Sequence, residues 1–206
     1  MNPLSTYAVI DFETTGMSPA LGARPTEIAA VLVRDGFIVD RYQSLMNAGV
    51  HVPYDIQALT GITNAMVRTA PRVEQVMGEV ADFVGEYSLV AHNAAFDRKF
   101  WDAELAQLGR QRGGDFVCSL LLSRRLFPDA PNHKLGTLVR TLQLPATGRY
   151  HRALADAEAT AHLFMRLRDE LQSRFSLAGV DHALLLAVQK VARGGLARCV
   201  ERHQAR

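Results

Sequence analysis

Tyr7-Ala8-Val9-Ile10-Asp11-Phe12-Glu13, followed by Thr14-Thr15-Gly16, reads as a buried strand running into a turn. β-Branched and aromatic side chains fill the first part, and the Thr-Thr-Gly end favours chain reversal. On a strand, residues two apart point to the same face, so Asp11 and Glu13 project together from an otherwise apolar segment. Two adjacent anions repel, and near a core they need a proton or a cation. Hard divalent ions such as Mg²⁺ and Mn²⁺ prefer carboxylate oxygen. Taken alone, a strand end reaching solvent explains the pair as well. The same spacing recurs at Asp102/Glu104 and Asp156/Glu158, but both lie in predicted helices, where such residues diverge.

Beyond this strand, a second is expected from about Glu27 to Arg34. Asp35-Gly36 is a two-residue hairpin signal into a third strand, Phe37 to about Met46. Short helical turns are expected around Leu59-Thr60-Gly61-Ile62-Thr63. Pro71 opens a helix with Val73, Val76, Met77, Val80, Phe83 and Val84 at helical spacing. Leu89-Val90-Ala91 is a short buried strand, and a helix from about Ala95 to Leu108 follows it. Asp115 to Cys118 reads as a fifth strand. Helices are then expected over about Leu120–Phe127, Lys134–Leu142, Ala153–Phe175 and Val180–Ala192, the last interrupted by Gly194-Gly195. Ala146 to Tyr150 is a loop. A three-stranded antiparallel meander followed by two parallel strands alternating with helices predicts a mixed five-stranded α/β sheet flanked by helices.

Two further segments carry chemistry. His92-Asn93-Ala94-Ala95-Phe96-Asp97 follows a buried strand and opens a helix, and in open α/β sheets ligands bind beyond the carboxyl ends of strands. Asn93 as a helix cap and Asp97 as a complement to the helix dipole would account for this segment equally well. Tyr150-His151-Arg152-Ala153-Leu154-Ala155-Asp156 places a loop histidine just before a helix that begins with a carboxylate. A histidine titrating near neutrality suits proton abstraction from water.

The chain has 206 residues, 48% apolar and 21% charged, which suits one compact enzyme domain with an extension. No run approaches the roughly 20 apolar residues of a membrane span, and the first residues lack a secretory pattern. Cys118 and Cys199 are far apart with no C-x-x-C, so a zinc ribbon is unsupported and free thiols in a cytoplasm are expected. A net charge of +2 says little about partners.

The ordered set Asp11-Phe12-Glu13-Thr14-Thr15-Gly16, His92 to Asp97, and His151 to Asp156 resembles the DEDDh 3′→5′ exonucleases. That family includes the proofreading epsilon subunit of bacterial DNA polymerase III and ribonuclease T. The resemblance covers about residues 5–175, leaving residues 176–206 as a C-terminal helical extension. It implies a ribonuclease-H-like fold and two divalent cations, Mg²⁺ or Mn²⁺. Asp11 would bridge both, Glu13 and Asp156 would complete one site, and Asp97 would support the other, directly or through water. His151 would accept the proton of the attacking water. Backbone at Thr14, Thr15 and Gly16 would hold the terminal nucleotide, with Leu59 and Ile62 packed on its base. His92 and Asn93 would approach its phosphate or sugar, and Phe96 would line the pocket.

The expected substrate is a single-stranded or frayed 3′ end of DNA, in proofreading or repair, with release of nucleoside monophosphates. RNA trimming of the ribonuclease T type uses the same residues and stays open. A non-catalytic nucleic-acid-binding or polymerase-accessory module is the third reading, against which the complete carboxylate set argues. The C-terminal helix leaves three roles open: packing on the domain, homodimer formation, or binding a partner such as a DNA polymerase subunit. No Gln-x-x-Leu-Phe clamp-binding peptide is evident.

Overall fold

The computed structural model describes residues 6–148 and 151–205. Arg149 and Tyr150 of the expected loop lie outside the described residues. Three strands, β1 (Tyr7–Thr14), β2 (Pro25–Arg34) and β3 (Phe37–Leu45), form the antiparallel meander. Asp35 and Gly36 both have positive φ (53° and 81°), the backbone that a two-residue hairpin matching strand twist requires. Two strands, β4 (Ser88–Ala91) and β5 (Val117–Cys118), add in parallel, giving the order β3-β2-β1-β4-β5.

The fifth strand is shorter than the expected Asp115–Cys118. Its start is what is missing: pairing with β4 covers only Val90–Val117 and Ala91–Cys118, and the helix α5 (Ser119–Leu126) follows directly after Cys118. The open edge of β5 is covered by a side chain. Gln189 donates from Nε2 to the Phe116 carbonyl (3.1 Å) and accepts from the Cys118 N–H through Oε1 (2.7 Å). Gln189 lies on α8 (His182–Lys190), so this C-terminal helix blunts a sheet edge that would otherwise be open to another strand.

Strand alternation divides the core. Tyr7, Val9, Ala29, Val31 and Val33 pack with α5, with α7 (Ala153–Arg174) and with α8. Ala8, Ile10, Phe12, Ile28 and Ala30 pack with α3 (Val73–Val84) and α4 (Ala95–Gln107) on the opposite face. Ala157, Ala161, Phe164, Leu167 and Leu171, the expected stripe of α7, are all buried. Leu184, Leu185 and Val188 of α8 belong to the same core, so this helix packs on the domain. Gly194-Gly195 ends in a turn rather than a stop, and a short helix α9 (Leu196–Gln204) follows, contributing Leu196 and Val200. Remaining helices are α1 (Tyr54–Thr60), α2 (Asn64–Thr69) and α6 (Leu135–Thr141). No helix among the described residues is long and apolar enough to cross a membrane.

Candidate active site

The face assignment of β1 is what assembles the site. Asp11 and Glu13 share parity with Tyr7 and Val9 and so point toward the face covered by α7. Asp156 lies in the first turn of α7. Ligand atoms of Glu13, His151 and Asp156 lie within 4.8 Å of one another. Asp97, in the first turn of α4, reaches the same strand from the other side: its Oδ1 accepts the Phe12 N–H at 3.2 Å. All four carboxylates and His151 line one cleft of about 460 Å³, which also takes in Thr14, Thr15, Gly16, Leu59, His92, Asn93 and Phe96.

The start of α7 is set by a residue that sequence reasoning passes over. Glu27 faces Glu13 across the β1–β2 pair and is fully buried. Its carboxylate accepts from Arg152 (Nη2 2.8 Å, Nε 3.0 Å), from the Ala153 N–H (3.0 Å) and from Gln43 (2.8 Å). No side chain within α7 caps that helix, so a strand carboxylate caps it from outside. A glutamate inside the apolar run Glu27-Ile28-Ala29-Ala30-Val31 was the available signal. His151, exposed at φ 61°, donates its N–H to Asp156 Oδ2 at 2.9 Å.

The turn after β1 is pinned as well. The register shifts between Glu13 and Thr14. Thr15 donates its N–H to the Arg24 carbonyl (2.9 Å) and accepts the Arg24 N–H on Oγ1 (3.0 Å). A Cβ on Gly16 would meet Ala23 at 3.3 Å, so this turn is packed tightly against its return strand. Arg24 is itself held by a bidentate pair with the buried Glu104 of α4 (2.8 and 2.9 Å).

Two expected substrate contacts differ in the structure. Ile62 is 0% exposed, packed with Val52 and Val67, and does not line the cleft. Gly61 ends α1 at φ 75°, and this left-handed step turns the next side chain inward. Ile56, one turn earlier on α1, lines the cleft beside Leu59, which is 49% exposed. His92 borders the cleft, but both ring nitrogens are engaged, with Ser119 Oγ (2.8 Å) and the His133 carbonyl (2.9 Å). A carbonyl only accepts, so Nε2 carries the proton and Nδ1 accepts from Ser119. Burial pushes the His92 pKa down to about 4, which fixes the neutral ring. His92 therefore braces the cleft wall rather than offering a free polar atom. Asn93, at φ 65°, is exposed at the cleft rim, and Phe96 packs on Phe100 with ring centroids 5.1 Å apart.

The carboxylates form a strained anionic cluster. Burial raises Asp11 well above the carboxylate range, and the charges of Asp97, Asp156 and Glu13 push the same way. Glu13 rises to about 8, through burial and then Asp156 and Glu27. Asp97 rises to about 7 by burial, against two backbone hydrogen bonds that lower it. Asp156 is also raised, chiefly by burial, and its Oδ1 is buried without a hydrogen-bond partner among the described residues. Clustered carboxyl oxygens, one of them orphaned, form the donor set that a hard divalent cation satisfies.

The fold class is thus a mixed five-stranded α/β sheet of the ribonuclease-H-like kind, with a carboxylate cluster at the end of its central strand. The chain belongs to the RNase_T exonuclease family, whose model, described as "Exonuclease", matches residues 8–164. It is 34% identical over 186 residues to DNA polymerase III subunit epsilon of Aquifex aeolicus, covering 90% of each chain. It is 39% identical over 172 residues to DNA polymerase III PolC-type of Bacillus cereus. That match covers 82% of this chain but spans only 12% of the relative's length. Among solved structures it is similar to Exonuclease X in complex with 5′ overhanging duplex DNA, with 29% identity and a TM-score of 0.67. That match covers 84% of this chain and 95% of the other.

Proposed function

We propose that this chain removes nucleoside monophosphates one at a time from the 3′ end of DNA, in proofreading or repair. The observation that carries this reading is the convergence of Asp11, Glu13, Asp97, Asp156 and His151 on one cleft beside the Thr14–Gly16 turn. Asp11, Glu13, Asp97 and Asp156 would hold two divalent cations, Mg²⁺ or Mn²⁺. Such ions supply activation of the attacking water and neutralisation of the leaving 3′ oxygen.

The chain's own groups do the positioning. The turn at Thr14–Gly16 offers backbone polar groups to the terminal nucleotide, and Leu59, Ile56 and Phe96 pack on its base and sugar. Contacts of this kind tolerate any base. Asn93 sits where the substrate's backbone leaves the pocket. His151 takes the proton of the attacking water through its imidazole. Its backbone N–H bond to Asp156 holds the loop against the carboxylates. Residues 1–175 constitute the exonuclease domain, and residues 176–206 form a helical extension that seals the β5 edge. The relatives point to a partner role beside a DNA polymerase.

A time course on 3′- and 5′-labelled DNA and RNA strands, with Mg²⁺, Mn²⁺ or a chelator, tests the activity. Mononucleotides appear from the 3′ end, faster on DNA, and chelator stops release. In the same assay His151→Gln lowers the neutral-pH rate by about 10²–10⁴-fold, while Mn²⁺ binding by calorimetry persists. Release from the 5′ end or turnover in chelator would sink the reading. An unaltered rate in His151→Gln would remove His151 from proton transfer.

A further inference from the structure

The stripe that α4 turns to the core is apolar except at two carboxylates. Its buried residues are Asp97, Phe100, Trp101, Glu104 and Leu105, at helical spacing. Asp97 grips β1 through the Phe12 N–H and lines the cleft. Glu104, about two turns further along, does not line the cleft, yet only 3% of it is exposed. Its oxygens accept from Arg24 Nε (2.8 Å) and Nη2 (2.9 Å), and Gln107 Nε2 adds a third contact at 3.3 Å. Taking two charges out of water costs about as much as their pairing returns, so such a pair contributes little net stability. What it fixes is geometry, because a planar guanidinium meets a carboxylate in one orientation. Here the geometry belongs to the loop that follows β1. Arg24 is the last residue of that loop before β2, and its backbone N–H and carbonyl make the two hydrogen bonds to Thr15 that close it. The same helix holds the loop a second time, where Lys99 Nζ donates to the Met17 carbonyl at 3.0 Å.

We propose that Glu104 is a positioning residue for the substrate: through Arg24 it sets the Thr14–Gly16 turn against the acidic cluster. The helix that carries Asp97 then also places the turn that holds the terminal nucleotide. The assignment deepens the exonuclease reading and rests on it for the role of the turn. One helix grips β1 at Asp97 and the loop at Lys99 and Glu104, so it sets the spacing between the carboxylates and the nucleotide-holding backbone. A misplaced turn weakens the hold on substrate in the ground and transition states alike, so its loss appears in KM rather than in kcat.

Two measurements on the full chain test this, and the first needs no activity. In amide hydrogen exchange in chelator, the Thr15 amide, bonded to the Arg24 carbonyl, exchanges on the order of ten-fold faster in Glu104→Gln. The Phe12 amide, bonded to Asp97, keeps its rate. The second is steady-state release of mononucleotides from a DNA strand with Mn²⁺: KM rises on the order of ten-fold while kcat holds within about two-fold. Arg24→Lys, which keeps the charge but not the fork, shifts both readouts the same way by less. Where Glu104→Gln does not fold, Glu104→Gln/Arg24→Met, which leaves no buried charge unpaired, carries the same measurements. A lower melting temperature with unchanged Thr15 exchange and unchanged KM overturns the proposal, since a merely structural pair does only that. A fall in kcat at constant KM also overturns it, because Glu104 then acts on Asp97 along α4. Faster Thr15 exchange with unchanged KM keeps the clamp and overturns its role in holding substrate. If the wild-type chain releases no mononucleotides, the exonuclease reading fails, and the exchange data still decide whether Glu104 sets the turn.

Discussion

Asp11→Asn will lower turnover by at least about 10³-fold, on the scale of deleting a major electrostatic contributor to the transition state, and will make the metal-free protein more stable. Both effects come from one cause. Asp11 sits at the centre of the cluster, with Asp97, Asp156 and Glu13 all raising its pKa on top of burial. Asparagine keeps the shape and removes a carboxyl whose ionisation burial and three neighbouring charges oppose, so above the ordinary carboxylate range the metal-free folded state is relieved. The same change removes one carboxylate from the set proposed to hold the cations. Opposite signs for stability and activity mark a functional site held against its own repulsion. Melting in chelator and single-nucleotide release with Mn²⁺ read the two effects. Near-normal turnover, or a variant that melts lower than the parent, contradicts this role for Asp11.

Arg152→Met is expected to destabilise the protein by about 3 kcal/mol, the low end of the range for removing one partner of a buried ion pair. The low end applies because the Arg152 side chain is 35% exposed, while Glu27 is 1% exposed. In a chain of this size that corresponds to a melting temperature lower by roughly 2–4 °C per kcal/mol. Glu27 keeps the Gln43 and Ala153 hydrogen bonds, but its charge is left without a counter-ion. The double variant Glu27→Gln/Arg152→Met recovers part of the loss, since no buried charge remains unpaired. Activity falls in both, because Glu27 fixes the start of α7 and with it the positions of His151 and Asp156. A double variant as unstable as Arg152→Met alone would show that the loss comes from packing of the arginine stem rather than from the charge pair.

Strand parity made half of the site legible in advance. Asp11 and Glu13 are two apart on one strand, and period-two geometry places them together without any knowledge of the rest of the chain. The Asp35-Gly36 hairpin was equally local, because positive φ at both positions is a property of the residues themselves. The Glu27 clamp was not legible, since it joins residues 125 apart and depends on Glu27 standing opposite Glu13 in the strand register. Ile62 shows a different limit. Its hydrophobicity suits a nucleobase as well as a core, and the left-handed Gly61 decides for the core. His92 carried the right chemistry for a phosphate contact, but Ser119 and His133 occupy its nitrogens. The two-residue β5 falls short of the expected strand at its start, where the Phe116 carbonyl accepts from Gln189 of α8, a contact 73 residues away in sequence.

Whether the carboxylates are a cation site is decided by melting temperature against pH, with and without Mn²⁺. Glu13 and Asp97 titrate near 8 and 7 in the folded chain, above their ordinary values. Their protonated forms therefore contribute stability that is complete below about pH 4 and is lost as pH rises through the range of about 7 to 8. In chelator the melting temperature falls across that window. Mn²⁺ replaces the lost protons and restores it, with a larger gain at about pH 8.5 than at about pH 5.5. A melting temperature that Mn²⁺ leaves unmoved at both pH values would mean that the cluster holds no cation.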